Sequence, residues 1–253
     1  MNTTEQSDMR TEVTYFNQLS KTYQNWYGDE TPEGYSFRVR REKVFAMLPH
    51  DGSGLSILDL ACGPGVMIKG LRERNYRVTA IDAAPDMVAL AKEVAGNDPQ
   101  VTCEVGDAYA LSVPDNSFDI VTAMGLIEYL DDEPKYLKEM NRIIKQGGTA
   151  IITYPNVWSP WRIWNRFLRF VARPGKKPLL LHREYTKKRT IEQFKDHDFD
   201  VHEVMYYNFK LVPFPLDRLL PRFTVGASKI FEHLDRTPLA FLATAFIVRA
   251  TKR

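Results

Sequence analysis

Short apolar segments alternate with amphipathic segments through the middle of the chain. Apolar runs rich in β-branched residues are typical of buried strands, whereas apolar residues spaced three and four apart indicate helices. The expected strands are LSILDLA, YRVTAIDA, QVTCEVGDA, SFDIVTAMG and GTAIITYPN. The helices expected between them are PGVMIKGLRERN, APDMVALAKEVAGN and DEPKYLKEMNRIIKQGG. Such an alternation predicts a parallel sheet with crossover helices.

Glycine and proline mark the expected ends of these helices. Gly96 and the pair Gly147–Gly148 fit C-terminal caps, where a left-handed residue often ends a helix. Pro64 and Pro85 fit helix starts, because the missing backbone N–H has no intrahelical partner there.

Less regular segments flank the alternation. The polar first dozen residues are expected to be disordered, and helices are expected at 13–30 and 36–49. After the fifth strand, a helix at 187–198, a strand at 199–208 and a last strand at 241–252 are expected.

Two further apolar and basic segments interrupt that later part of the chain. The predicted organisation is an N-terminal helical lid at 1–48 and a domain at 49–253, with acceptor-side insertions at about 155–185 and 208–240. The inserted segments are expected to cover the carboxyl edge of the sheet as lid helices.

Composition limits the class of protein. Of the 253 residues, 44% are hydrophobic and 26% charged, which is typical of a globular protein that needs no disulfides. The net charge of +2 does not favour nucleic acid as a partner. Cys62 and Cys103 form no CxxC pair, and the polar N-terminus lacks an apolar signal core, so we expect a cytoplasmic location.

The segment ILDLACGPG carries an unusual combination of a carboxylate and a glycine turn. Ligands of open parallel sheets bind at the carboxyl ends of the strands, and Asp82 ends the second strand, where ribose is usually held. A dinucleotide would need a third glycine at the position of Ile68, and its pyrophosphate would face Asp59, Asp82 and Asp107. Two like charges about 4 Å apart repel by roughly 4 kcal/mol at an effective dielectric of about 20. The pattern therefore favours a nucleoside with positive charge, such as S-adenosylmethionine.

At these residues the chain resembles the class I S-adenosylmethionine-dependent methyltransferases, of the type that includes the ubiquinone and menaquinone methyltransferases. The resemblance covers about 55–155 and rests on LDLACGPG, AIDAAPDM, GDAYALSVPDNSFDIVTAMGLIEYLDD and LKEMNRIIKQGGTAIIT, in that order. It implies an α/β, Rossmann-like, seven-stranded and mostly parallel sheet with an antiparallel last strand, and S-adenosyl-L-methionine as the cofactor.

The resemblance also implies a set of cofactor-binding residues. Asp59, Gly63 and Gly65 would hold the methionine part, and Asp82 the ribose hydroxyls. The full expected set is Asp59, Ala61, Gly63, Gly65, Asp82, Ala83, Met87, Asp107, Ala108, Met124 and Gly125. Structural roles remain open for three of them: helix packing for Gly65, a core position for Met87 and an N-cap for Asp107.

The sequence indicates the catalytic residues less clearly than the cofactor-binding residues. Quinone O-methyltransferases of this family often carry E-x-x-E-H after strand four, but this chain has GLIEY, so we expect no metal. The candidates for contacting the acceptor or acting as a base are His182, Tyr154 and Glu128; a surface position is the alternative for His182 and a helix-start role for Glu128. Tyr15 and Tyr23 are expected to pack in the N-terminal segment.

The insertion after strand five combines tryptophans with arginines. At about 100° per residue, the stripe Arg162, Arg166, Arg169 and Arg173 lies opposite a face with Trp158, Trp161, Trp164, Leu168 and Val171. This helix could cover an apolar acceptor, lie on an anionic membrane surface, or pack on its own domain with a solvated arginine face.

The sequence therefore predicts methyl transfer from S-adenosylmethionine, by in-line displacement, to a small hydrophobic or lipid-like acceptor. The alternatives are an NAD(P)-dependent oxidoreductase on a similar sheet, a non-catalytic S-adenosylmethionine-binding protein, and a membrane-surface adaptor built around the tryptophan–arginine helix. The sequence leaves open the oligomeric state and the atom that is methylated.

Overall fold

The computed structural model describes residues 3–172 and 183–253. Two helices precede the sheet, α1 at Thr3–Trp26 and α2 at Pro32–Met47. Thr31 caps α2, because its side chain accepts a hydrogen bond from the backbone N–H of Gly34 at 3.1 Å.

A single seven-stranded sheet forms the centre of the fold. Its strands are β1 Ser56–Leu60, β2 Arg77–Asp82, β3 Val101–Val105, β4 Phe118–Ala123, β5 Ile144–Pro155, β6 Phe199–Tyr207 and β7 Ala245–Lys252. The spatial order is β3-β2-β1-β4-β5-β7-β6. Strands β1 to β5 pair in parallel, and β7 inserts antiparallel between β5 and β6. The predicted Rossmann-like sheet with an antiparallel last strand is confirmed.

Helices cover both faces of the sheet. The crossover helices are α3 Ile68–Glu73, α4 Pro85–Ala95 and α5 Glu133–Ile143, and later helices are α6 Pro160–Ala172, α7 Lys187–Asp196, α8 Leu216–Leu219 and α9 Pro221–Phe231. Short 3₁₀ helices span Ile127–Tyr129, Glu232–Leu234 and Pro238–Leu242. Two buried apolar clusters, one on each face, join these helices to the strands. Among the described residues, no helix is long and apolar enough to cross a membrane.

The structure corrects two expected helix ends. The α5 helix ends at Ile143, and Gly147 and Gly148 lie inside β5 instead of capping a helix. A register shift separates the pairs that Phe118 and Ile120 make with β5, and the left-handed Gly147 (φ +73°) lies in it. The predicted helix start at Pro64 is also wrong, because consecutive turns carry the chain to Ile68 before α3 begins.

At the N-terminus, α1 begins at Thr3, where disorder was expected. Once a helix is nucleated, each added residue contributes one more backbone hydrogen bond, so polar residues can extend an amphipathic helix. The expected cap at Gly96 and the expected helix start at Pro85 agree with the structure.

Candidate functional site

A crevice lies at the carboxyl ends of β1, β2 and β4 and beside the loop after β3. The predicted residues that line it are Ala61, Gly63, Asp82, Ala83, Met87, Asp107, Ala108, Met124 and Gly125. Residues from four separate strand ends therefore meet in one cavity, although a direct role in binding stays a prediction for each.

Asp82 ties the end of β2 to the glycine loop. Its Oδ2 accepts a hydrogen bond from the backbone N–H of Gly63 at 2.8 Å, and its Oδ1 accepts one from the N–H of Ala84 at 2.9 Å. Burial raises the pKa of Asp82, although the backbone hydrogen bonds oppose that shift. Each carboxylate oxygen has a second lone pair, so the carboxylate can still accept hydrogen bonds from ligand hydroxyls.

The loop after β1 presents backbone to the cavity. Gly63 has a φ of +53°, and Ala61, which has a side chain, is held at a φ of +56°. A left-handed conformation costs a residue with a Cβ roughly 1–2 kcal/mol, so the surrounding structure must hold Ala61 there. A loop of this shape lets a ligand approach main-chain atoms closely.

Gly65 and Asp59 do not line the crevice. A Cβ on Gly65 would lie 2.8 Å from Ile68 Cδ1 and 3.0 Å from Ala91 Cα, so this glycine allows α4 to pack against the loop. Asp59 is only 1% exposed and accepts a hydrogen bond of 3.0 Å from Thr122 Oγ1. Its Oδ2 has no hydrogen-bond partner among the described residues, and burial raises its pKa to about 7.

Asp107 performs a local structural role as well as lining the crevice. Its Oδ1 accepts a hydrogen bond of 2.9 Å from the backbone N–H of Tyr109, which fixes the turn after β3. Met87 is buried in α4 and also reaches the cavity wall. The N-cap role considered for Asp107 is wrong, because a turn and not a helix follows β3, whereas the core position considered for Met87 agrees with the structure.

Helix α1 closes the crevice from the side opposite the strands. Val13, Phe16 and Tyr23 line the cavity, and the ring of Phe16 packs edge-to-face on Tyr129 with 5.2 Å between centroids. Sequence reasoning assigned the α1 tyrosines to packing and did not identify Phe16. The only signal was the concentration of aromatic residues in this segment.

Arg40 of α2 is a functional candidate that sequence reasoning missed. Its guanidinium occupies the space that a side chain at Gly125 would fill, and Nη2 donates to the hydroxyls of Tyr23 and Tyr27 at 3.5 and 3.4 Å. Its Nε is buried with no hydrogen-bond partner among the described residues. Burial raises the pKa values of Asp59 and Glu128, and the charge of Arg40 partly opposes that rise. The run RVRREK looks like a solvated charged face in the sequence, so nothing in it indicated a buried cation.

The catalytic candidates have different surroundings. Glu128 is buried in the 3₁₀ helix after β4; desolvation raises its pKa, and its Oε2 has no partner in the described parts of the chain. Tyr154 is fully buried among the rings of Tyr185, Phe194 and Phe246, and does not reach the crevice. His182 lies outside the described residues.

Helix α6 differs from the expected separation of arginine and tryptophan faces. Arg162 is turned toward the domain and donates from Nε to the carbonyl of Thr244 at 2.8 Å, whereas Trp158 and Val171 are exposed. Arg173 lies outside the described residues. Within 3–172 and 183–253, no group of three potential metal ligands occurs.

Comparison with known proteins finds a methyltransferase domain in the middle of the chain. Residues 58–152 match the family model described as a methyltransferase domain. The mitochondrial ubiquinone biosynthesis O-methyltransferase of Schizosaccharomyces pombe is 28% identical over 154 residues, which cover 56% of this chain and 54% of the relative. The 2-methyl-6-phytyl-1,4-hydroquinone methyltransferase of Synechocystis is 31% identical over 132 residues, which cover 50% and 42%. The chain thus spans about half the length of the curated relatives it matches.

Solved structures agree on the fold. An S-adenosylmethionine-dependent methyltransferase from Mesorhizobium loti aligns with a TM-score of 0.59 at 21% identity and covers 83% of this chain and 96% of its own. A chain of the Haloferax volcanii complex between the Trm112 methyltransferase activator and a methyltransferase aligns with a TM-score of 0.67 at 20% identity, covering 93% and 96%. At this identity the likeness shows the fold alone.

Residues 58–152 thus form a methyltransferase domain, and the fold around them is that of solved S-adenosylmethionine-dependent methyltransferases, whose cofactor is S-adenosyl-L-methionine. The family resemblance and the cofactor expected from the sequence are confirmed.

Proposed function

We propose that this chain transfers the methyl group of S-adenosylmethionine to a small hydrophobic acceptor by in-line displacement. The observation that carries the proposal is the crevice in which the Asp82 carboxylate is tied to the left-handed glycine loop, with Met124 and Gly125 opposite. Relatives named for methylation of a quinone precursor and a phytyl hydroquinone support a hydrophobic acceptor. The cytoplasm remains the predicted location.

The residues present fit this donor. The loop at Ala61 and Gly63 leaves main-chain room for the methionine part, and the free lone pairs of Asp82 suit ribose hydroxyls. Met87, Asp107 and Ala108 form an apolar wall with a polar edge that suits adenine. When bound, the donor supplies a methyl group that is already activated by a positively charged sulfur.

Charge at the inner end of the crevice is complementary to the donor's amino-acid part. Asp59 and Asp82 are acidic, and Arg40 is a buried cation that interacts electrostatically with both Asp59 and Glu128. We assign Arg40 to the carboxylate of the donor and keep Asp82 with the ribose hydroxyls; Asp59 does not line the crevice and is assigned no direct ligand contact. Because these groups are buried, their interactions with the ligand are screened less than they would be in water.

The remaining walls exclude water from the reacting atoms. Phe16, Leu126, Tyr129 and Leu130 also line the crevice, and their side chains are apolar or aromatic. Displacement at an activated carbon depends mainly on alignment and on a dry pocket. We therefore assign these side chains to holding a hydrophobic acceptor in line with the donor.

Glu128 is the proposed residue that orients the acceptor. It lies in the 3₁₀ helix after β4 and does not itself line the crevice, but Leu126 and Tyr129 on either side of it do. Its buried Oε2 has no partner among the described residues, so a polar group of an acceptor that reaches past these side chains can satisfy that oxygen. Glu128→Gln is expected to raise the KM for the acceptor at least tenfold while donor affinity stays within twofold. The matched control is Glu104→Gln, which neutralises an exposed glutamate on β3.

The experiment that tests the function is an acceptor screen with radiolabelled S-adenosylmethionine. The panel contains prenylated hydroxyquinones, hydrophobic phenols and amines, and their short polar analogues. Label is expected on hydrophobic acceptors and not on the polar analogues. If the chain binds the donor but labels nothing, it is a non-catalytic S-adenosylmethionine-binding protein.

A further inference from the structure

Two insertions expose large apolar side chains next to each other. On α6 these include Phe170, which is 74% exposed, and after β6 they include Leu219 and Phe223, which are 70% and 65% exposed. Single exposed apolar residues are normal, but clusters of this size on a soluble protein mark an interaction surface. We call these two segments, 158–171 and 211–230, the apolar-basic face.

The exposed side of α6 is the apolar one. Ile163, Phe167, Phe170 and Val171 fall within an arc of about 100° on the helix and are all exposed. Trp161 and Leu168 face the domain and are half-buried. Packing on its own domain therefore leaves the greater part of the apolar surface of α6 uncovered.

The two segments form one continuous surface. Trp164 of α6 donates a hydrogen bond from its indole Nε1 to the carbonyl of Phe214 at 3.0 Å. Beneath it, the Lys210 ammonium lies 4.7 Å from the centre of the Trp161 ring. These contacts join the segments side by side, so that both can meet one flat partner.

The exposed charges within the two segments are basic. Arg166 and Arg169 lie on one side of the apolar arc of α6, where Arg166 also pairs with Glu184 at 3.2 Å, and Arg218 and Arg222 lie exposed among the apolar residues of α8 and α9. Helix α6 contains no acidic residue, and the one acidic residue in 209–231, Asp217, is buried. An apolar stripe bordered by arginines is the pattern of a helix that lies in the interface of an anionic membrane.

We propose that the apolar-basic face docks on the surface of an anionic lipid bilayer. A second copy of the chain would bring one basic face against another, which the charges oppose, whereas anionic headgroups satisfy the arginines while the aromatic side chains enter the acyl boundary. The face follows β5, whose carboxyl end lies at the same edge of the sheet as the crevice. Docking would therefore hold the crevice near the bilayer, but it does not depend on which acceptor is methylated.

The test is co-sedimentation of the full chain with vesicles of phosphatidylcholine alone and of phosphatidylcholine mixed equally with phosphatidylglycerol. Binding is expected only to the anionic vesicles, because each basic residue near such a surface changes the partition of the protein between water and membrane by about fivefold. Binding is expected to weaken with salt, which screens this attraction. Arg166→Glu with Arg169→Glu is expected to reduce binding more than tenfold, and Phe170→Ser with Phe223→Ser by a similar factor.

Matched controls separate the face from general charge and hydrophobicity. Lys138→Glu with Lys188→Glu makes the same charge change on exposed residues of α5 and α7, and Val105→Ser removes an exposed apolar side chain from the opposite edge strand. These variants are expected to bind vesicles like the unmodified protein. Equal loss in the controls, or equal binding to both vesicle types, would overturn the proposal.

Two further measurements make the outcome unambiguous. Face variants are expected to keep their thermal stabilisation by S-adenosylhomocysteine, and Asp82→Ala is expected to keep its vesicle binding, so failure of docking and failure of the proposed function can be told apart. Light scattering measures the oligomeric state. If the unmodified chain is a dimer that the two serine substitutions convert to a monomer, and if it binds no vesicles, the face serves self-association and the proposal is overturned.

Discussion

The carboxylate of Asp82 accepts a hydrogen bond of 2.8 Å from the backbone N–H of Gly63, which lies 19 residues earlier in the chain. This bond joins the ends of two neighbouring strands and sets the glycine loop against the acidic end of β2. The same carboxylate that fixes the loop therefore faces the crevice with lone pairs to spare.

Gly65 provides a test of packing at the loop. Gly65→Ala is expected to lower the free energy of unfolding by about 2–4 kcal/mol, because it adds left-handed strain and pushes a methyl group against Ile68 and Ala91. Gly54→Ala is the matched control, since Gly54 also has a positive φ (+80°) but has no atom within 4 Å of its added Cβ. Urea unfolding measures both. Equal losses would show that α4 does not press on the loop.

Asp59 should make stability depend on pH. Burial raises its pKa to about 7, above the value of about 3.9 in an unfolded chain. Between these values the native state holds the proton and the unfolded state does not, so the contribution of Asp59 to stability falls as pH rises from about 4 to about 7.

Asp59→Asn removes that penalty. We expect the variant to exceed the unmodified protein in unfolding free energy by a few kcal/mol at pH 8, at about 1.4 kcal/mol per unit of pKa shift, and by much less at pH 5. Thr122 can still donate to the amide oxygen. Urea unfolding at both pH values provides the measurement, with the exposed Asp86→Asn as control. A difference that is the same at pH 5 and pH 8 would contradict the assignment.

The closure by α1 can be tested through the rate of donor release. Phe16→Ala removes the edge-to-face contact with Tyr129, and such pairs contribute about 0.5–1.5 kcal/mol, so S-adenosylhomocysteine should dissociate about 2–10-fold faster. Stopped-flow fluorescence measures the rate. Gln18→Ala, an exposed position on the same helix, should leave it unchanged. Identical dissociation rates for both variants would show that α1 does not close the site.

Tyr154 is expected to be dispensable for chemistry. Its hydroxyl is buried with no hydrogen-bond partner among the described residues, so Tyr154→Phe should leave kcat and KM unchanged and keep or raise the melting temperature. Thermal unfolding and steady-state kinetics check this. A loss of kcat with an intact fold would restore Tyr154 as a catalytic candidate.

The parts of the site that could be predicted are those set by strand ends. Asp82 and Gly63 were found from the sequence because the carboxyl ends of parallel strands must meet at one edge of a sheet. Whether Gly65 contacts ligand or packs on a helix was left open, since both roles require the same residue type. The structure shows that Gly65 packs on the helix, because Ala91 of α4 lies too close to leave room for a side chain at this position.

The parts that could not be predicted depend on long-range contacts or on short ambiguous runs. Arg40 lies in a charged run that looks solvated, and its burial follows from how α1 and α2 fold over the sheet. The run IIKQGG is too short for its apolar pattern to separate helix from strand, and pairing with β4 and β7 makes it the start of β5.

The most direct measurement of the central claim is calorimetric titration of S-adenosylmethionine and of NADH into the unmodified chain, Asp82→Ala and the exposed control Asp86→Ala. Loss of a buried, charged hydrogen-bond acceptor costs about 1.5–3 kcal/mol, so we expect Asp82→Ala to weaken S-adenosylmethionine binding by about 10–150-fold. Asp86→Ala should bind the donor normally, and NADH should bind to none of the three. Binding of NADH, or equal affinity of Asp82→Ala and the unmodified chain for S-adenosylmethionine, would contradict the account.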